Sequence, residues 1–239
     1  MISIICPFYN EKENLKELYD RLVKMTKTLD EPWEIIFVND GSTDEGGVHL
    51  QSLIVGQHTV RLIELDKNYG LSTALLAGFH AAKGETLATL DSDLQNPPEE
   101  IPALLRLLEG ADMVTGIRKK RQDSWLRRII SRIANFIRKK VTGDTIQDVG
   151  CTLRVFRRDV VEAFYPYKGM HRFFAALTEA HGFKVKQVPV SHHKRRYGKA
   201  KYGFWNRLAG PLMDLLAVKW LLKRKIKYKV HAKQPHKHR

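Results

Sequence analysis

Cysteine is nearly absent, with only Cys6 and Cys151 among 239 residues. The two lie far apart and match no metal-ligand or redox spacing, which argues against a thiolate zinc site or a dithiol motif and for buried, reduced thiols in a reducing cytoplasm. No uninterrupted apolar run approaches the roughly 20 residues that span a bilayer, so the chain is not expected to cross one. The amino terminus runs straight into Ile2-Ser3-Ile4-Ile5, with charged Glu11, Lys12 and Glu13 soon after. That pattern reads as a strand and not as a signal peptide. Neither GxGxxG nor GxxxxGK[S/T] occurs, which sets aside dinucleotide oxidoreductases and P-loop enzymes.

Charge is present but segregated. Of the net +15, residues 1–117 carry 9 Lys/Arg against 19 Asp/Glu, residues 118–140 carry 10 against 1, and residues 194–239 carry 15 against 1. An acidic domain thus bears two basic segments, so one part of the molecule is built to meet an anionic surface or substrate.

Strand and helix signals alternate over the first half. Ile2 to Cys6, Glu34 to Val38, Val60 to Glu64, Thr86 to Leu90 and Met113 to Thr115 read as short buried strands, and Leu15, Leu18, Tyr19 and Leu22 mark an intervening helix. Asn96-Pro97-Pro98-Glu99-Glu100 reads as the start of a helix running through Leu107. The expected fold class is α/β, with a mostly parallel sheet covered by helices. Ligands of such sheets sit beyond the carboxyl ends of the strands, where Pro7 to Glu11, Asp40 to Asp44 and Asp91 to Gln95 all fall.

The last of these clusters carries the sharpest chemistry. In Thr89-Leu90-Asp91-Ser92-Asp93-Leu94-Gln95, strand alternation would point Asp91, Asp93 and Gln95 the same way, offering three oxygens to one hard cation. A lone pair of aspartates also serves as a helix cap. The neighbouring motifs weigh against that simpler role.

Taken in order, Pro7-Phe8-Tyr9-Asn10-Glu11, Val38-Asn39-Asp40-Gly41-Ser42-Thr43-Asp44, Asn68-Tyr69-Gly70 and Asp91-Ser92-Asp93-Leu94-Gln95 with Pro97-Pro98-Glu99 resemble the family 2 glycosyltransferases of GT-A fold. Asp148-Val149-Gly150-Cys151-Thr152-Leu153-Arg154 and Arg196-Tyr197-Gly198-Lys199-Ala200-Lys201-Tyr202 are similar to the branch that glycosylates polyprenyl phosphates, typified by dolichyl-phosphate mannose synthase. The match covers roughly residues 1 to 210. It implies a three-layer, Rossmann-like GT-A domain over residues 1–203, a C-terminal amphipathic segment over 204–229 and a disordered basic tail over 230–239. Many relatives carry a lysine where this chain has Leu71.

The resemblance also implies roles. Pro7, Tyr9 and Glu11 would surround the base and ribose of a nucleotide-sugar donor, with Asp40 accepting from the base edge and Gly41, Ser42 and Asn68 completing that site. Asp91, Asp93 and Gln95 would hold Mg²⁺ or Mn²⁺ against the donor diphosphate. Arg118, Arg128 and Ser131, with Arg127 as the alternative register, would meet the acceptor phosphate, joined by Arg196 and Lys201. Asp148 would act either as an orienting residue or as a base. UDP-linked donors are preferred over GDP-linked ones.

The basic segments fit that picture. Across about 124–141, Leu126, Ile129, Ile130, Ile133, Phe136 and Ile137 fall at helical spacing behind Trp125, with basic residues on the other side. Phe204, Trp205, Leu208, Leu212, Leu215, Leu216, Trp220 and Leu222 alternate with basic residues further on. Both read as interfacial helices on an anionic membrane surface, peripheral to its cytoplasmic face. A homo-oligomer or a membrane-protein partner is left open. The terminal histidines are read as part of the tail and not as a metal site. Two other functions are weighed: a family 2 enzyme acting on a hydroxyl of a glycan or lipid, with Asp148 as base, and a nucleic-acid-binding protein. The acidic first half argues against the latter, because its Asp-rich rim would repel phosphates unless a metal is present.

Overall fold

The computed structural model describes residues 1–118, 135–197 and 209–224. Seven strands form one sheet in the order β3-β2-β1-β4-β6-β5-β7: β1 (Ile2–Phe8), β2 (Trp33–Asn39), β3 (Val60–Glu64), β4 (Thr86–Thr89), β5 (Met113–Arg118), β6 (Arg154–Arg157) and β7 (Val185–Val190). β1, β2, β3 and β4 pair in parallel, β6 runs antiparallel to both β4 and β5, and β7 returns parallel to β5. The mostly parallel α/β sheet expected from the sequence is therefore present, with β6 as its reversed member.

Each element has a local cause. β1 is buried along its whole length, matching the near-continuous apolar run of a strand covered on both faces. β7 borders the sheet and carries Pro189, which cannot donate to a ladder and so belongs at an edge. In α1 (Lys12–Thr26), Leu15, Leu18 and Leu22 recur at helical spacing and are fully buried, each contributing about 2 kcal/mol through burial. A 3₁₀ turn opens at Pro98 and leads into α4 (Ile101–Leu107), as the proline and acid signals require.

Helices cover both faces of the sheet. α1, α2 (Gly46–Leu53) and α4 pack on one side through Leu15, Leu50, Ile101 and Leu104. On the other side, α3 (Leu71–Ala81) and the segment from Arg158 to α6 (Phe174–Ala180) enclose Phe79, Phe156, Phe164 and Phe174. Phe164 and Phe174 stack with centroids 4.0 Å apart. Both cysteines are buried thiols, and burial pushes Cys151 up to about 11.

The basic segments differ from expectation in detail. Residues 119–134, including Trp125, Leu126, Ile129, Ile130 and Ile133, lie outside the described residues. The described part, α5 (135–142), exposes Phe136 and Ile137, whereas Arg138 is buried against Asp144. The buried Asp144 carboxylate draws this one arginine inward, while Lys140 stays exposed. α7 (Ala209–Lys223) docks Leu215 and Val218 onto Phe173 and Leu177 and turns Met213, Leu216 and Trp220 outward. Among the described residues, no helix is long and apolar enough to cross a membrane.

Candidate active site

β2 and β4 flank β1, and the chain visits them on opposite sides of it, which makes the β1/β4 boundary the point where the winding reverses. Ligands of doubly wound sheets bind in the crevice at that point. Here it holds a cavity of about 320 Å³ lined by Pro7 and Phe8 at the end of β1, Tyr9 after it, Asp40 after β2, Asn68, Gly70 and Leu71 leading into α3, and Asp91 and Asp93 after β4. Glu11 and Arg195 complete the polar wall. The three clusters placed on one rim by the sequence do converge.

The metal motif is arranged differently from the strand alternation expected of it. β4 ends at Thr89, and residues 91–95 form a tight turn with Leu94 in the left-handed region at φ +60°. Asp91 and Asp93 line the pocket, but Gln95 does not. The Gln95 amide donates its Nε2 to the His193 carbonyl at 3.2 Å, and its backbone N–H donates to Asp93 Oδ1 at 3.1 Å. Two carboxylates, rather than three oxygens in a row, therefore face the cavity. Burial, followed by the neighbouring Asp93 charge, pushes Asp91 up to about 6, opposed by Thr152, Arg154 and Arg195. Among the described residues, no set of three His, Cys, Asp or Glu side chains forms a metal cage. A pair of repelling carboxylates still fits a divalent cation that takes its other oxygens from phosphate and water.

Asp40, expected beside a nucleoside, organises the cavity wall that follows β2. It is 3% exposed and accepts from Tyr69 N–H at 2.8 Å, Gly70 N–H at 2.9 Å and Asn68 Nδ2 at 2.9 Å. Its carboxylate binds the 68–70 loop to the end of β2, a positioning contact that the motif itself did not announce. Gly41 lies outside the cavity lining, with φ +66° and its α-carbon against the Lys67 backbone, where a Cβ would overlap the Lys67 carbonyl carbon. Ser42 also lies outside the lining, with its hydroxyl accepting Asn10 N–H at 2.9 Å. Both residues hold the loops that form the pocket. Leu71, in place of the family lysine, contributes an apolar wall.

Arg118, at the end of β5, donates Nε to Oδ2 and Nη2 to Oδ1 of Asp148, both at 2.8 Å. Asp148 Oδ2 also accepts Arg118 N–H, and Oδ1 accepts Gly150 N–H, each at 3.1 Å. These contacts use the four lone-pair positions of the carboxylate. Behind them, Arg154 is 2% exposed, donates to the Val149 carbonyl at 3.1 Å and lies over the Phe174 ring at 5.5 Å.

Arg196, expected at the acceptor phosphate, is paired with Glu17 on α1 away from this cavity, and its neighbour Arg195 lines the cavity. Nothing in the sequence distinguishes two adjacent arginines beyond the parity of an extended segment. Arg195 reaches Glu11 at 3.1 Å and Asp93 at 2.8 Å. Arg128, Ser131, Lys201 and the alternative Arg127 lie outside the described residues. Phe8, Ser92, Ala74 and Arg195 are lining residues that the sequence did not single out.

The model of glycosyl transferase family 2 matches residues 3–164. The chain belongs to that family. Among curated relatives, the undecaprenyl-phosphate 4-deoxy-4-formamido-L-arabinose transferase of Proteus mirabilis (strain HI4320) is 39% identical over 218 residues, which cover 90% of this chain and 66% of the relative. The enzyme of the same name from Enterobacter sp. (strain 638) is 38% identical with the same coverage. This family 2 chain therefore spans just under two-thirds of the length of those relatives. Among solved structures, glucosyl-3-phosphoglycerate synthase from Mycobacterium tuberculosis, crystallised with Mn²⁺, UDP and glucosyl-3-phosphoglycerate, superposes with a TM-score of 0.65 at 18% identity, covering 92% of this chain and 78% of that one. S. aureus TarS (residues 1–349) gives 0.54 at 15% identity, covering 78% and 57%. These likenesses establish the GT-A fold.

Proposed function

We propose that this family 2 protein is a metal-dependent, inverting glycosyltransferase that moves a sugar from a nucleotide-diphosphate donor, UDP-linked in preference to GDP-linked, onto a polyprenyl phosphate at the cytoplasmic face of a membrane. The observation that carries the reading is the cavity at the β1/β4 boundary. It joins a wall of Pro7, Tyr9 and Asn68 to a carboxylate pair (Asp91, Asp93), and Arg118 stands at the end of β5, two strands from β4 in the same sheet. The polyprenyl-phosphate acceptor is supported by the undecaprenyl-phosphate relatives, and the metal and UDP by the Mn²⁺ and UDP complex of the fold neighbour.

Asp91 and Asp93 would hold Mg²⁺ or Mn²⁺, which when bound supplies positive charge against the leaving diphosphate. A phosphate monoester has a second pKa near 6, so at neutral pH the acceptor oxygen is already largely anionic and needs no base. The chain's own task is positioning and charge neutralisation. Arg118, with Arg128, Ser131 and Lys201 by family resemblance, neutralises the acceptor phosphate so that it can approach an anionic donor. An acceptor oxygen then attacks the anomeric carbon in line, the bond from that carbon to the donor phosphate breaks, the nucleoside diphosphate leaves and the configuration inverts. Asp148 acts as the orienting residue for Arg118, because its lone pairs are already engaged by that arginine and Gly150. A hydroxyl acceptor would require Asp148 to surrender one of those bonds.

Membrane attachment rests on α7, whose outward Met213, Leu216 and Trp220 are 67%, 53% and 58% exposed and are followed by Lys223 and Arg224. Apolar side chains beside basic ones suit an interface with anionic headgroups.

The test is direct. The protein is incubated with Mn²⁺ or Mg²⁺, a short polyprenyl phosphate and labelled UDP- and GDP-sugars, and then extracted with organic solvent. Label is expected in an acid-labile lipid fraction, and it should disappear in Asp93→Ala. Label on a hydroxyl acceptor with none in the lipid phosphate would overturn the reading.

A further inference from the structure

Arg195 stands between two carboxylates of the donor pocket. Its Nη1 donates to Glu11 Oε1 at 3.1 Å and its Nη2 to Asp93 Oδ2 at 2.8 Å, and both acids are 6% exposed. The placement is built in by the backbone. The segment after β7 is tied to the turn that carries Asp93, because His193 N–H donates to the Gln95 carbonyl at 2.8 Å and Gln95 Nε2 donates back to the His193 carbonyl at 3.2 Å. Arg195 follows two residues later. Around it the lining holds Glu11, Asp40, Asp91 and Asp93, and Arg195 is the one basic side chain among those lining residues.

Asp93 thereby has a cationic partner before any metal binds. Oδ1 already accepts Gln95 N–H, and Oδ2 carries the guanidinium, so a cation that takes Asp93 must displace or share that contact. A guanidinium tethered in the same chain competes without the translational cost borne by a free ion. It also matches paired phosphate oxygens as well as it matches carboxylates.

Resting on the donor-site reading above, we propose that Arg195 makes cation binding conditional on the nucleotide. In the donor-free protein the guanidinium holds Asp93 and Glu11. When the diphosphate enters, Arg195 exchanges carboxylate oxygens for phosphate oxygens and leaves Asp93 to the cation. Metal alone then binds weakly, metal with nucleotide binds tightly, and by linkage the nucleotide gains from the metal the same factor that the metal gains from the nucleotide.

Mn²⁺ binding to the full chain, followed by the electron paramagnetic resonance signal of free Mn²⁺ with and without UDP, measures this without acceptor or turnover. In the wild type, UDP is expected to tighten Mn²⁺ binding. Arg195→Gln should tighten binding of Mn²⁺ alone by about tenfold and shrink the UDP enhancement correspondingly, within the range usual for coupled sites. Arg195→Lys, which keeps the charge but loses the fork, should fall between the two. Arg157→Gln removes a surface charge that is 54% exposed and lies outside the lining, and it should change neither quantity. Thermal unfolding establishes that each variant is folded. A folded Arg195→Gln that binds Mn²⁺ alone no more tightly than wild type overturns the inference, as does an equal tightening in Arg157→Gln. If lipid transfer fails while Arg195→Gln shows the expected shift, the acceptor assignment is wrong and this inference stands. A wild type that binds no Mn²⁺ under either condition removes the donor-site reading and the inference with it.

Discussion

Arg118 and Asp148 meet through a two-pronged ion pair, with Nε on Oδ2 and Nη2 on Oδ1 at 2.8 Å each, at the end of β5. Such a fork fixes the plane of the guanidinium as well as its position. The aspartate thus holds the arginine in a fixed orientation, which under the proposed function would preset it for the acceptor phosphate.

Asp148→Asn should raise the KM for polyprenyl phosphate by roughly 10- to 100-fold, the range for losing a hydrogen bond between charged groups, with a smaller effect on kcat. Steady-state kinetics against acceptor concentration checks this. A collapse of kcat with KM unchanged would instead mark Asp148 as a base.

Gly41→Ala tests the loop architecture. The residue has φ +66° and its added Cβ would meet the Lys67 backbone, which leads into the Asn68-Tyr69-Gly70 loop held by Asp40. Backbone strain of about 1–3 kcal/mol is expected, together with weakened UDP binding as the loop shifts. Gly110→Ala, at φ +75° with open space around its Cβ, should cost only the intrinsic left-handed penalty of about 1–2 kcal/mol and leave UDP binding unchanged. Denaturation midpoints and UDP titration of the two variants separate pocket damage from simple strain.

These loops also mark how far the sequence could be read. β1, β2 and β4 were legible because parallel strands buried on both faces are near-continuous apolar runs, and β1 to β4 lie within one or two residues of expectation. β6 and β7 were not among them. Arg154-Val155-Phe156-Arg157 sets charges at both ends of a four-residue strand, and β7 mixes Lys186, Gln187 and Pro189 at a half-exposed edge. Asp91 and Asp93 were legible from spacing, but the turn that removes Gln95 from the cavity depends on Leu94 adopting a left-handed conformation, which leucine does not signal. That Arg195 lines the cavity while Arg196 pairs with Glu17 is a one-residue difference in facing that follows from the tie between His193 and Gln95.

His171 supplies a pH dependence whose sign is fixed. Ser72, at the start of α3, accepts Gly169 N–H at 3.0 Å, and its hydroxyl lies 2.8 Å from His171 Nδ1. Burial, then the charges of Arg172 and Arg154, holds His171 down at about 3. Between its ordinary value of about 6.5 and that folded value, the unfolded chain binds a proton that the native chain refuses. Stability is therefore full above about pH 6.5 and falls on acidification by up to about 1.4 kcal/mol per pH unit from this group. Urea midpoints should fall between pH 7.5 and 5, and His171→Asn, which keeps an acceptor near Ser72 without a titrating ring, should flatten that slope. An equally steep slope in the variant would assign the effect to other groups.

The outward face of α7 gives the last prediction. Met213, Leu216 and Trp220 recur three and four residues apart on one side of the helix, while Leu215 and Val218 are buried against Phe173 and Leu177 on the other. The Arg224 guanidinium lies 5.3 Å from the Trp220 ring centre, which brings a cation beside the apolar stripe. An indole at an interface contributes about 2 kcal/mol through apolar burial, and each nearby cation adds about 1 kcal/mol on anionic lipid. Trp220→Glu removes the first and opposes the second, yet leaves the packed face intact. Flotation with phosphatidylglycerol-rich vesicles should therefore weaken by at least about tenfold in Trp220→Glu, with the thermal midpoint unchanged. Wild-type binding should decline as salt rises from 50 mM to 500 mM, about the range over which screening shortens from more than 10 Å to less than 5 Å. Binding that ignores both the substitution and the salt would remove α7 from the membrane contact.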